Sequence, residues 1–286
     1  MTIAPRFIHL RLHTEYSLLQ GAVPVKALPG LAAGMGMPAV AVTDTNNLFC
    51  ALEFSVGAQA KGVQPILGCE LHVGFEPAQP GERARAPAGV VLLVQNETGW
   101  RNLLKLNTVL YLDPDSPRGE VPLAALEAHA EGLICLTGGA DGPAGRLIRA
   151  GQRGRAEALV RRLATAFPGR LYVELQRHPG DGGQVAEAER ATERGFVEMA
   201  YAMDLPLVAT NDVHFPDAAM FEAHDALMCI ADGAYVDQAA PRRRLTPQHG
   251  LKTPEEMAAL FADLPEALEN TVEIARRCAF AASRAS

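Results

Sequence analysis

The stretch Val208-Ala209-Thr210-Asn211-Asp212-Val213-His214 opens as a buried strand and closes on a carboxylate and an imidazole. Two earlier stretches have the same form: His9-Leu10-Arg11-Leu12-His13 and Val40-Ala41-Val42-Thr43-Asp44. Each delivers a metal-type ligand at the C-terminal tip of an apolar run. That is where an α/β barrel builds its site.

Between these tips the pattern alternates. Residues 7–12 read as a strand, 24–35 as a helix closed by Gly34, Gly36 and Pro38, and 39–43 as a short strand apolar on both faces. The spacing then predicts a helix over 48–61, strands over 63–73 and 90–94, and a helix over 99–111. A strand over 133–137, two helices within 142–166, a strand over 171–175, a helix over 184–203 and a strand over 207–209 follow. Residues 76–88, rich in Pro, Gly, Ala and Arg, predict a surface loop. Alternation of this kind argues for parallel strands joined by helical crossovers, in a barrel or an open sheet.

From Leu245 the rhythm turns helical. Thr253-Pro254-Glu255-Glu256 combines a Thr N-cap, Pro at the first helical position and Glu three residues after the cap, and Pro265 opens a last helix in the same way. The expected division is a barrel over 1–244 and a helical extension over 245–286. The ending Ala281-Ala282-Ser283-Arg284-Ala285-Ser286 has no capped stop, which suggests truncation.

Composition narrows the function. The 286 residues are 48% hydrophobic, enough for one large α/β domain or two small ones. A net charge of −7 argues against broad nucleic-acid binding by this segment, because phosphate neutralisation needs a basic face. The one basic run, Arg242-Arg243-Arg244, reads as a solvated loop ahead of a phosphate contact. Cys50, Cys69, Cys135, Cys229 and Cys278 are scattered without a Cys-x-x-Cys pair and fit buried thiols in a reducing cytoplasm. No apolar run reaches membrane-span length and no signal-peptide pattern opens the chain. The expectation is a cytoplasmic protein with no membrane partner.

Carboxylates and imidazoles converging from several strand tips can hold divalent ions, which activate water and clamp a leaving oxygen in phosphoester hydrolysis. Each residue also has a plainer role open to it. His13 can be a hydrogen-bonded structural histidine, Asp44 can cap the helix expected from Leu48, Glu70 can pair with an arginine, and Asp212 and His214 can be turn residues around Asn211.

The run Phe7-Ile8-His9-Leu10-Arg11-Leu12-His13-Thr14-Glu15-Tyr16-Ser17 resembles the opening of the PHP (polymerase and histidinol phosphatase) domain of bacterial C-family replicative polymerases, the DNA polymerase III alpha-subunit family. The likeness continues in Pro65-Ile66-Leu67-Gly68-Cys69-Glu70, Asn96-Glu97-Thr98-Gly99-Trp100, Ala209-Thr210-Asn211-Asp212-Val213-His214-Phe215 and Leu260-Phe261-Ala262-Asp263-Leu264-Pro265. The resemblance implies a distorted (β/α)7 barrel of the PHP type with a C-terminal helical appendix. It implies metal-ligand positions at His13, Asp44, Glu70, His178, Asp212 and His214. It also marks losses: Arg11 stands in the His-x-His motif, Thr45 in the Asp-His motif, and Gly89 at a strand that opens with His.

Three missing ligands and an added guanidinium imply a degenerate centre, with one divalent ion (Zn, Mn or Mg) at low occupancy as the most it holds. Arg11 is placed to bridge Glu70 or Asp212 in place of an ion. The nucleotidyl-transfer carboxylates of the family lie in a palm further along the polypeptide. The implied role is therefore structural: supporting the rest of the polymerase alpha subunit and docking the proofreading 3′–5′ exonuclease subunit, with DNA reached only through the full polymerase. The alternative is a metal-dependent phosphoesterase or intrinsic 3′–5′ exonuclease using the residual ligands.

Overall fold

The structure, a computed structural model, describes residues 7–75, 87–113, 119–180, 182–240 and 242–283. Most of the loop expected over 76–88 lies outside the described residues. The strands are β1 (Ala39–Val42), β2 (Gln64–Gly74), β3 (Gly89–Val94), β4 (Val121–Pro122), β5 (Leu133–Leu136), β6 (Leu171–Gln176) and β7 (Leu207–Thr210). The helices are α1 (Leu28–Gly34), α2 (Ala51–Ala60), α3 (Glu97–Leu112), α4 (Leu123–Ala128), α5 (Pro143–Arg149), α6 (Arg153–Ala166), α7 (Glu187–Ala202), α8 (Phe221–Asp232), α9 (Pro254–Leu260) and α10 (Pro265–Arg277). The short β4 and α4, and the helix α8, carry patterns too brief or too mixed to read from the sequence.

The sheet runs β1-β2-β3-β5-β6-β7, with β4 on the end of β2. Residues 7–12, expected as a strand, instead form an irregular stave that joins the two edges. His9 O and Leu12 O accept from Ala41 N and Thr43 N on the β1 side, while His13 N donates to Val213 O and Arg11 O accepts from Val213 N beyond β7. With that stave the six main strands make a distorted seven-stave barrel. The expectation of parallel strands fails at β3, which is antiparallel to both β2 and β5. β3 pairs directly with the strand that precedes it, in antiparallel register from Gly68↔Leu93 to His72↔Gly89. The reversal matters: the first residue of β3, Gly89, stands at the same mouth as the ends of the parallel strands.

Alternate strand residues fill the barrel interior, among them Ile8, Leu10, Ala41, Ile66, Leu93 and Leu136. The helix α10 shares this core through Ile274 and Ala275, joined by Cys278 just after it. It lies across the strand starts: Gln64 Nε2 donates to Ala275 O and Cys278 O at 2.7 and 3.1 Å, and Asn270 Nδ2 to Leu207 O at 2.8 Å. Helix α10 therefore plugs the barrel floor and is built into its core.

The α9 start carries the expected capping box, Thr253 with Glu256. Arg242 and Arg244 pair with Asp225, and Arg243 with Asp232, so the basic run is pinned to α8 and largely neutralised. The five cysteines are buried free thiols. Among the described residues no helix is long and apolar enough to cross a membrane.

Candidate functional site

The mouth of the barrel is organised around Arg11, which is 5% exposed. Its Nη2 lies 3.0 Å from Glu70 Oε2, its Nη1 3.4 Å from Glu174 Oε1 and its Nε 2.8 Å from Asp212 Oδ1. Nη1 also faces Gly138 O at 3.3 Å. The Nε contact is a close ion pair off the line of a hydrogen bond. Burial alone would make the guanidinium easier to deprotonate, but Asp212, Glu70 and Glu174 outweigh it and hold its pKa well above the ordinary value. One delocalised cation thus serves three carboxylates from three staves, the geometry for which a forked guanidinium is suited.

His13 is the second cation. Its Nε2 lies 3.1 Å from Glu70 Oε2 and 3.2 Å from Asp212 Oδ1. Ser17 Oγ gives its proton to Asp44 Oδ1 at 2.6 Å, so at 3.1 Å it accepts one from His13 Nδ1. Both ring nitrogens therefore donate, which makes the ring an imidazolium. Burial opposes that charge; hydrogen bonds to Asp212 and Glu70 overcome it and raise the pKa to about 9. Conversely, burial would raise Glu70, but Arg11 and then His13 bring it down to about 2. Asp212 is likewise held well below the carboxylate range, against burial, chiefly by Arg11.

His214 stacks on His13 at 4.4 Å and its Nε2 stands 3.5 Å from Asp212 Oδ1. Its Nδ1 is bonded to Gln20 O at 3.1 Å, and burial, with His13 nearby, lowers its pKa.

Asp44 and His178 are near the mouth, but their donors are committed elsewhere. Asp44 does not cap α2, whose N-cap Cys50 makes no side-chain cap. Its carboxylate accepts from Thr14 N, Thr14 Oγ1, Ser17 Oγ and Cys50 Sγ, at 2.7, 2.7, 2.6 and 3.1 Å, which uses its lone-pair positions. His178 holds Glu189 through Nδ1 and Asn211 O through Nε2, both at 2.5 Å, and lies flat on His249 at 3.8 Å.

Thr45 Oγ1 sits 3.3 Å from His13 Nδ1 and donates to Gln20 Oε1. A Cβ on Gly89 would come 2.5 Å from Glu70 Oε1. Thr45 and Gly89, where the resemblance implies two further ligands lost, therefore do face the cluster.

Glu174 and His249 escaped the sequence reading. Glu174 is fully buried and accepts from Thr210 Oγ1 at 2.5 Å and Gly138 N at 2.9 Å as well as pairing with Arg11. Burial raises its pKa despite Arg11. Its signal was present: a carboxylate inside the otherwise apolar run Leu171-Tyr172-Val173-Glu174-Leu175. His249 had no comparable signal, because its place depends on the packing of the 245–252 segment.

His13, Asp212 and His214 bring three donor atoms within 4.8 Å of one another, a possible His/Asp site for one ion. Around it Arg11 engages Glu70, Glu174 and Asp212 together, so these carboxylates already share one cation of the chain itself.

The PHP domain family matches residues 9–178. The chain belongs to the PHP domain family. It is 50% identical over 276 residues to a DNA polymerase III subunit alpha of Caulobacter vibrioides, covering 96% of this chain and 23% of that protein. It is 41% identical over 280 residues to the DNA polymerase III subunit alpha of Pseudomonas aeruginosa, covering 97% of this chain and 23% of that one. The chain thus spans about a quarter of the length of these relatives. A solved two-domain protein from Bacteroides vulgatus, described as containing a predicted PHP-like metal-dependent phosphoesterase, aligns with a TM-score of 0.46 at 12% identity, over 95% of this chain and 69% of that one. In this PHP domain Asp212 and His214 lie beyond the matched span, yet they complete the cluster that begins at Arg11.

Proposed function

We propose that this chain serves DNA replication as the PHP domain of a DNA polymerase III alpha subunit, with its metal centre converted into a charge lock. The carrying observation is Arg11, whose single guanidinium engages Glu70, Glu174 and Asp212. In this reading His13, Asp44, Glu70, His178, Asp212 and His214 occupy old ligand positions, now held by hydrogen bonds and ion pairs. The domain, 1–244 with the extension 245–286 leading onward, supports the polymerase module and docks the proofreading 3′–5′ exonuclease subunit in the cytoplasm. DNA is met through the whole polymerase. Phosphoester hydrolysis by this segment is small or nil.

Two measurements test this reading. Metal analysis of the purified chain, with a phosphoester assay in manganese or zinc, is expected to find no robust turnover. Turnover that disappears in Asp212→Asn would overturn the lock. A pull-down with the exonuclease subunit is expected to show association; none with folded protein would remove the docking role.

A second reading rests on the three converging donors of His13, Asp212 and His214. These would hold one divalent ion (Zn, Mn or Mg) at low occupancy, supplying Lewis acidity to a phosphoester. Arg11 and the His13 proton compete with it for the same oxygens.

A further inference from the structure

The cluster depends on a turn that is held from outside the barrel. Asp212 sits at φ 47°, in the left-handed region uncommon for a residue with a side chain. The preceding Asn211 is pinned at each of its side-chain polar atoms: Nδ2 donates to Gly250 O at 2.7 Å, and Oδ1 accepts from Lys252 Nζ at 2.8 Å. Lys252 is itself tied down, with Nζ also donating to Gln248 O and its own carbonyl accepting from His9 Nε2 at 2.8 Å. The segment runs alongside the turn, His214 N bonding to His249 O at 2.9 Å and Leu251 N to Phe215 O at 3.1 Å. We infer that Lys252 is a positioning residue: through Asn211 it fixes the turn that presents Asp212 to Arg11.

The choice of lysine supports this. Lys252 is 7% exposed, and burial lowers its pKa to about 8, more than Glu256 and Glu189 raise it. Its charge therefore opposes folding. An apolar side chain of similar volume would serve packing as well or better. What the ammonium adds is a donor aimed at Asn211 Oδ1. The inference rests on reading the Arg11 cluster as a charge lock.

The test is a pair of double-mutant cycles in urea unfolding on the 286-residue chain, each run with Lys252 and with Lys252→Met. One cycle combines Arg11→Met with Asp212→Asn; the control combines Arg11→Met with Glu70→Gln. With Lys252→Met the Arg11–Asp212 coupling is expected to fall by at least half while the Arg11–Glu70 coupling holds. If the Arg11–Asp212 coupling is unchanged, or both couplings fall alike, the positioning role is overturned and the lock stands. Absence of any Arg11–Asp212 coupling with Lys252 intact overturns the lock as well. Asn211→Ala cuts the same link from its other end and decides the question should Lys252→Met not fold.

Discussion

Replacing Arg11 with Met keeps much of the side-chain length and removes the charge. At an effective dielectric near 20, each ion pair near 4 Å is worth about 4 kcal/mol before desolvation is counted. Arg11 makes three such pairs, at 2.8, 3.0 and 3.4 Å. Desolvation of the guanidinium cancels much of that sum, and the abandoned carboxylates can take up protons, so the net loss is set by breaking a buried pair from one side, roughly 3–5 kcal/mol. For a chain of this size that corresponds to a fall in Tm of roughly 5–8 °C.

The pH dependence gives the sharper signature. In the parent chain the lowered pKa of Glu70, about 2, contributes stability that is present above pH 4.5 and lost as pH falls toward 2. Without the guanidinium, burial dominates and the carboxylate pKa values rise. The variant's penalty then grows as pH rises through them. The stability gap between parent and Arg11→Met is therefore expected to be largest near pH 7.5 and to narrow toward pH 5. Urea unfolding followed by circular dichroism at both pH values measures it. A gap below about 1 kcal/mol at pH 7.5, the size of an ordinary surface pair, or one that widens on acidification, is incompatible with the lock.

Three further outcomes follow from individual sites. His9 is buried, with a pKa lowered to about 4 by burial, against a bond to Lys252 O that raises it; its contribution is present above pH 6.5 and lost as pH falls toward 4, so the parent should lose about 3 kcal/mol more than His9→Asn between pH 7 and pH 4, and parallel stability curves would count against it. A Cβ on Gly99 would meet Gly132 O at 1.9 Å, backbone that cannot swing aside; Gly99→Ala is expected to destabilise by more than about 3 kcal/mol in thermal unfolding, the range of severe overpacking, and a neutral result would contradict the close approach of α3 to the loop before β5. Ile274 is fully buried in the barrel interior; Ile274→Ala should cost about 2–5 kcal/mol of the single unfolding transition, whereas a separate early transition confined to α10 would show that the floor is not part of the barrel core.

Much of this architecture was readable in one dimension. Local periodicity locates β1, β2, α3, β6, α7 and β7 within a few residues, because a wholly apolar four-residue run or a helical stripe has few alternative placements. The capping box at Thr253 is equally local. Strand direction was not local: β3 is as apolar as its neighbours, and its antiparallel course shows only in its pairing with β2 and β5. The stave at 7–12 lacks regular pairing because its bonds go alternately to two strands that meet only on closure.

The site divides in the same way. The residue types at Arg11, His13, Glu70, Asp212 and His214 announce a ligand cluster with a cation set into it, since strand tips and charged side chains are written directly in the order of residues. Which of them meet is a property of the closed barrel. Asp44 is drawn off by Thr14, Ser17 and Cys50, and His178 by Glu189 and Asn211, while Glu174 enters from the middle of a strand. Hydrogen-bond competition and the electrostatics of burial act over a few ångströms in space. Glu70 and Arg11, 59 positions apart in the chain, become partners only once the sheet has curled.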